Sequence, residues 1–200
     1  MDKNYKTFVK YIAGCAVVVF VAIYLIWRSG KGGYDIETFA GDIGYTTGIV
    51  CIFATTFNWW IWRCPWIGRL LHTPDLIGMW EGKGKSSHDG QEYTFKLKIS
   101  QTFLETHVHG YFEKSQSDSF SSVFVYNETI DRTVMVYSYQ NDPKLEYRNK
   151  AECGEEGGLN IHYGTTKLDI DFADLKHLSG SYWNDRECVG SINLTRIENG

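Results

Sequence analysis

From Tyr93 the chain alternates, with Tyr93, Phe95, Leu97 and Ile99 apolar and Thr94, Lys96 and Lys98 polar between them. A period of two predicts a strand with one buried and one wet face. The alternation recurs in FSSVFVYNE (120–128), RTVMVYSYQ (132–140), LEYRNK (145–150), GLNIHYG (158–164), KLDIDF (167–172), HLSGSYW (177–183) and CVGSINLTRI (188–197). Breakers separate the runs: HDG at 88–90, NDP at 141–143 and EEGG at 155–158. With no amphipathic helix between them, eight to ten antiparallel strands are expected, closed as a barrel or paired as a sandwich.

The two ends of this region favour a small closed barrel. Its first strand reads Leu76-Ile-Gly78-Met-Trp80-Glu-Gly82, and its last carries Ile192, Leu194 and Arg196 in alternation. A Gly-x-Trp opening with a late Arg resembles the closure of lipocalin-type barrels, where the guanidinium lies across the indole. A cation over an aromatic face is physically favourable. Trp80 and Arg196 are the expected closing pair. An eight-stranded barrel can hold one small ligand or fill with side chains.

Upstream the pattern differs. Tyr11–Trp27 is seventeen residues without a charge, bracketed by Lys10 and Arg28, and Ile43–Ile61 is nineteen more. A bilayer core of about 30 Å takes roughly 20 such residues as a helix. FNWWIWRCPWIGR (57–69) then holds four of the seven tryptophans. Indoles concentrate where hydrocarbon meets water, and Arg63 and Arg69 are placed to reach headgroups. The expectation is a hairpin of two transmembrane helices over residues 8–27 and 43–62 within a membrane region 1–71, followed by a ligand-sensing barrel over 72–200. The first span is too long for an ordinary signal sequence, and RSGKGG after it lacks a small-x-small cleavage pattern, so it reads as an uncleaved anchor. Lys3, Lys6 and Lys10 before the hairpin and Arg63 and Arg69 after it outnumber Arg28 and Lys31 in its loop. That asymmetry puts both termini in the cytoplasm. On the second helix Gly44 and Gly48 begin a face of small and mildly polar residues that continues through Cys51 and Thr55 to Asn58. Such a face lets membrane helices approach closely, within one chain or between chains.

Charge divides along the same line. Residues 1–71 hold seven basic and four acidic side chains, net +3, and residues 72–200 hold thirteen and twenty, net −7. An acidic domain lacks the positive field that DNA or RNA requires. Of the five cysteines, only Cys153 and Cys188 fall in the barrel region, with no CxxC, which fits free thiols in a reducing compartment.

No catalytic signature emerges. GKGKS (82–86) is not a phosphate loop, because the motif needs Gly where Met79 stands and a helix after it. His107 and His109 share a strand face without a third ligand and read as solvent-facing, so no metal site is expected. What remains is aromatic and cationic: Tyr137, Tyr139, Tyr147, Arg148, Tyr163, Tyr182, Trp183 and Arg186. Rings stack on bases and Arg forks onto phosphates. Arg148, Arg186, Tyr147, Tyr182, Trp183 and Tyr139 are therefore the candidate ligand-binding residues, and a small nucleotide is the ligand they suit.

Two membrane helices, a short linker and a small β-barrel, with the LIGMWEG opening and the LSGSYW…GSINLTR ending, resemble the two-transmembrane β-barrel effectors of bacterial cyclic-oligonucleotide-based anti-phage signalling. The resemblance implies a non-enzymatic protein of the bacterial inner membrane with no cofactor. It implies that a cyclic dinucleotide from a partner nucleotidyltransferase binds the barrel, and that the protein then self-associates and disrupts the bilayer, killing the infected cell. Two alternatives are a membrane-anchored lipocalin-like carrier, which needs an aliphatic lining, and a structural anchor with a filled barrel.

Overall fold

Both charge-free runs become helices, although shifted towards the N-terminus: α1 spans Lys3–Ile23 and α2 Ile36–Trp59. The computed structural model describes residues 3–25, 36–87, 90, 92–152 and 158–197. The end of the expected first span at Trp27 and most of the loop after it lie outside these residues. Two compact units result, Met1–Cys64 with Thr102–Leu104, and Pro65–Gln101 with Glu105–Gly200.

In the first unit aromatic rings tie the two helices. Phe20 meets Phe39 edge-on at 6.2 Å, Phe8 lies 6.1 Å from Phe57, and Phe103 meets Phe57 edge-on at 5.1 Å. Trp62, fully buried in a single 3₁₀ turn (Ile61–Arg63), donates its indole N–H to the Asn58 carbonyl at 3.0 Å. Thr46, Thr47 and Thr56 each donate a hydroxyl to the carbonyl four residues earlier, at 2.7–2.8 Å, which satisfies the hydroxyl within its own helix.

One expectation changes here. Among the described residues no helix is long and apolar enough to cross a membrane. The physical reason in α2 is dilution: Asp42, Gly44, Gly48, five threonines and Asn58 interrupt its aliphatic residues. The small-residue face of α2 is open at its two glycines. A Cβ added at Gly44 or Gly48 would meet nothing within 4 Å, so neither glycine packs against α1. Asn58 Oδ1 accepts the Leu104 N–H at 3.2 Å.

The second unit opens with a short helix α3 (Pro65–Leu70) and then forms a closed barrel in sequence order: β1 Gly78–Ser86, β2 Glu92–Gln101, β3 Thr106–Tyr111, β4 Ser115–Asn127, β5 Arg132–Pro143, β6 His162–Ile170, β7 His177–Asn184 and β8 Val189–Arg196. All neighbours are antiparallel. Three of the expected strand runs are corrected. LEYRNK lies in helix α4 (Leu145–Glu152), because Leu, Glu, Arg and Lys are strong helix formers. The Lys144 carbonyl starts it by accepting from the N–H groups of Tyr147 and Arg148. GLNIHYG and KLDIDF are not two strands, since β6 runs without a break from His162 to Ile170. In β4 a bulge between Ser119 and Ser121 shifts the inward set from odd to even positions.

The barrel shuts where β1 meets β8. Trp80 is the register partner of Arg196, whose guanidinium carbon stands 5.5 Å from the indole centroid. Arg196 also donates to the carbonyls of Asp75 and Ile77, and the Trp80 indole N–H donates to the Leu76 carbonyl at 3.0 Å. The Arg196 Nη groups and the Trp80 indole N–H thus have partners, as burial demands. Around the fully buried Trp80 pack Leu76, Ile99, Val108, Met135, Leu168, Leu178 and Leu194, each no more than 3% exposed.

Trp80→Ala deletes the centre of that layer, and large-to-small core truncations of this kind cost about 3–5 kcal/mol. Urea unfolding of the full chain, followed by circular dichroism of the sheet, should show that loss. A midpoint unchanged from wild type would mean that this layer does not hold the barrel shut.

Candidate functional site

The same alternation that fills one end of the barrel leaves the other partly empty. Towards the end where β1 finishes and β2 begins, the inward residues stop being aliphatic and become Tyr93 and Phe95 on β2, Tyr137 and Tyr139 on β5, and Tyr182 on β7. Four of these rings face a glycine directly across the ladder: Phe95 opposite Gly82, Tyr93 opposite Gly84, Tyr139 opposite Gly164 and Tyr182 opposite Gly190. A Cβ at any of the four glycines would come within 3.0 Å of the facing ring. Each ring therefore lies over bare backbone, close to the wall. Small residues opposite large ones are how a narrow barrel accommodates rings.

A cavity of about 170 Å³ remains between them. Phe112 borders it from the β3–β4 turn, stacked on Phe95 at 5.2 Å. Its polar lining is Ser117, Asn141, His162, Thr166 and Asn184 together with the phenols. Among the described residues that line it there is no Lys, Arg, Asp or Glu.

Burial shifts the titratable groups that line this space. Burial raises the Tyr93 phenol well above its ordinary range, reinforced by a hydrogen bond to Tyr182. Burial raises Tyr139 as well, and pushes Tyr137 up to about 12 despite an opposing bond with Thr166. Burial likewise holds His162 below its ordinary value, opposed by a bond to the Asn160 carbonyl and assisted by the nearby Arg186 charge.

Of the six residues singled out from the sequence, the structure brings two into this cavity, Tyr139 and Tyr182. Trp183 follows Tyr182 on the strand, so it points outward and is 46% exposed. Arg186 sits in the β7–β8 turn, exposed, its backbone N–H donated to Asn184 Oδ1 at 3.1 Å. Tyr147 and Arg148 lie on α4 instead of a strand. Arg148 pairs with Asp142 beside a separate depression bordered by Gln116, Lys144 and Leu145. The Tyr147 ring has the Lys114 and Lys150 ammonium groups at 5.6 and 5.7 Å. His107 is exposed and His109 is paired with Asp118.

Tyr93, Phe95, Phe112, Ser117, Asn141, His162, Thr166 and Asn184 were not anticipated. A signal for two of them was present: Gly82-Lys-Gly84 faces Tyr93-Thr-Phe95 across the first hairpin, and glycine at inward strand positions marks room beside it.

Comparison with known proteins adds a family. A family described as "Cap15, cyclic dinucleotide receptor domain" matches residues 71–196. CD-NTase-associated protein 15 of Yersinia aleksiciae is 32% identical over 153 residues, 74% of this chain and 68% of its own length. Among solved structures, the redesigned β-barrel mFAP0 bound to DFHBI aligns over 60% of this chain and 98% of its own, at 10% identity and a TM-score of 0.36. A second redesigned barrel, b11L5F_LGL, aligns over 62% and 92%, at 10% identity and 0.30. At these scores neither barrel bears on the site.

The phenols give a pH prediction. Their folded pKa values are raised above the ordinary 10. The neutral form is therefore favoured by folding, and that stability is complete below pH 10 and lost as pH rises through about 12. Tyrosinate absorbance recorded beside circular dichroism should show part of the ionisation arriving only as the barrel unfolds. Ionisation of all thirteen tyrosines in one step near pH 10 with the fold intact would contradict the dry cavity.

Proposed function

Because the chain belongs to the Cap15 family of cyclic dinucleotide receptors, we propose that it is a non-enzymatic effector of bacterial anti-phage signalling. Its barrel binds a cyclic dinucleotide made by a partner nucleotidyltransferase, occupancy drives self-association, and the assembled helical units disrupt the inner membrane. The observation that carries this reading is the cavity inside the segment the family match spans. It offers aromatic faces for stacking and amides and hydroxyls for a base edge, in a space dry enough to raise its phenols. A carrier of fatty chains would want an aliphatic lining there, and a structural anchor would want a full barrel. Arg186 and Arg148, on the connections at the same end as the cavity, are the cations we assign to the phosphates.

Three features support the membrane role. Val17, Val18, Ile49 and Ile52 leave apolar surface exposed on α1 and α2, and Trp59 and Trp60 are exposed beside them. The Thr46, Thr47 and Thr56 hydroxyls in α2 are satisfied within the helix, so they add little cost in an apolar medium. Gly44 and Gly48 leave open backbone where a helix of a second copy can approach. A ligand can drive assembly only if the assembled state binds it more tightly than the dispersed one.

Calorimetry of the full chain in detergent against cyclic dinucleotides and a fatty acid tests the receptor reading. A cyclic dinucleotide should bind and the fatty acid should not, and Arg186→Ala should weaken binding about tenfold, with a smaller dependence on salt. Binding of the fatty acid alone would replace this reading with the carrier. A Cβ at Gly48 meets nothing within 4 Å, so Gly48→Leu should leave fold and ligand binding unchanged. It should suppress membrane leakage in cells that co-express the nucleotidyltransferase. Full leakage from that variant would remove this face of α2 from the assembly.

A further inference from the structure

The cavity is too small and too dry for a whole cyclic dinucleotide. Its volume is about 170 Å³. An apolar cavity of about 150 Å³ holds one benzene, and sites that enclose a drug-sized ligand run to roughly 300–1,000 Å³. One planar ring system fits, and two bases with two sugars and two phosphates do not. Charge divides the ligand the same way. A phosphate drawn inside would lose its hydration and meet no cation, since the described lining carries no Lys or Arg. A base is neutral, and its edge needs donors and acceptors on nearby strands. Asn141 on β5 carries both, and Asn184 on β7, whose Oδ1 already accepts the Arg186 and Cys188 N–H groups, adds amide N–H donors, with Thr166 on the intervening β6.

We propose that the barrel interior takes a single nucleobase of the ligand, its edge read by Asn141 and Asn184, while both phosphates and the second nucleoside stay at the rim. Gly84 sets the room for that ring. The three atoms nearest a Cβ at Gly84 all belong to the Tyr93 side chain, so a methyl there pushes the phenol off the wall and into the cavity. This inference rests on the receptor reading above and narrows it to one buried base.

The test compares cyclic di-AMP, cyclic di-GMP and cyclic di-UMP with analogues lacking one base or both, titrated into the full chain by calorimetry. For the ligand that binds, loss of one base should weaken affinity by less than about tenfold, because the remaining base still enters. Loss of both should weaken it by about a hundredfold or more, since stacking and edge contacts both vanish. Gly84→Ala, with a melting profile like wild type, should weaken the intact ligand by at least about tenfold. A hundredfold loss on removing a single base would mean that two bases are buried, which overturns the proposal and leaves the receptor reading standing. Undiminished binding of the analogue without bases, or of Gly84→Ala, overturns it too. If none of the three intact ligands binds, the receptor reading falls and the proposal falls with it.

Discussion

An eight-stranded barrel has an interior just wide enough to fill with side chains, and everything about this site follows from how that limit is escaped at one end only. Where the inward residues are Leu, Ile, Val and Met around Trp80, the interior is full. Where Tyr93, Phe95, Tyr139 and Tyr182 point inward, a glycine stands opposite each ring, and the ring lies over it close to the wall. The void is thus made by absent side chains on the neighbouring strands, and the rings become its walls.

That construction has chemical consequences. A space walled by phenols over bare backbone is aromatic and dry, with hydroxyls, two amides and an imidazole for polarity and no full charge among the described lining. It suits a neutral, flat, polar-edged group better than an anion or an alkyl chain. The cations at that end sit on connections, with Arg186 in the β7–β8 turn and Arg148 on α4. A ligand that is part base and part phosphate would span both zones. In the proposed mechanism the zone outside the barrel is where a second copy can sense that the ligand is present.

Much of this was legible in the sequence. Alternation marked the strands, and Trp80 and Arg196 stood out as the pair that meets where β1 joins β8. The errors have local causes. LEYRNK carries alternating apolar residues, but its helix propensity and the preceding Pro143 end the strand. That moves Tyr147 and Arg148 off the barrel wall. Residue type points to Arg and Trp, whereas period-two geometry sends Trp183 outward for the same reason that it sends Tyr182 inward. GKGKS was rejected as a phosphate loop, yet its two glycines have a use visible only once β2 is paired beside them. In the helices, a run free of charge is not yet a run of high hydropathy, and the glycines and threonines of α2 make that difference.

Fluorine NMR of the full chain carrying 3-fluorotyrosine, recorded as the calorimetric ligand is added, addresses the central claim most directly. If the ligand occupies the glycine-backed cavity, the resonances of Tyr93, Tyr139 and Tyr182, assigned by single Tyr→Phe variants, move while that of the outward-facing Tyr163 stays. Movement confined to Tyr147 on α4, with the three cavity tyrosines unchanged, would place the ligand outside the barrel and contradict the account.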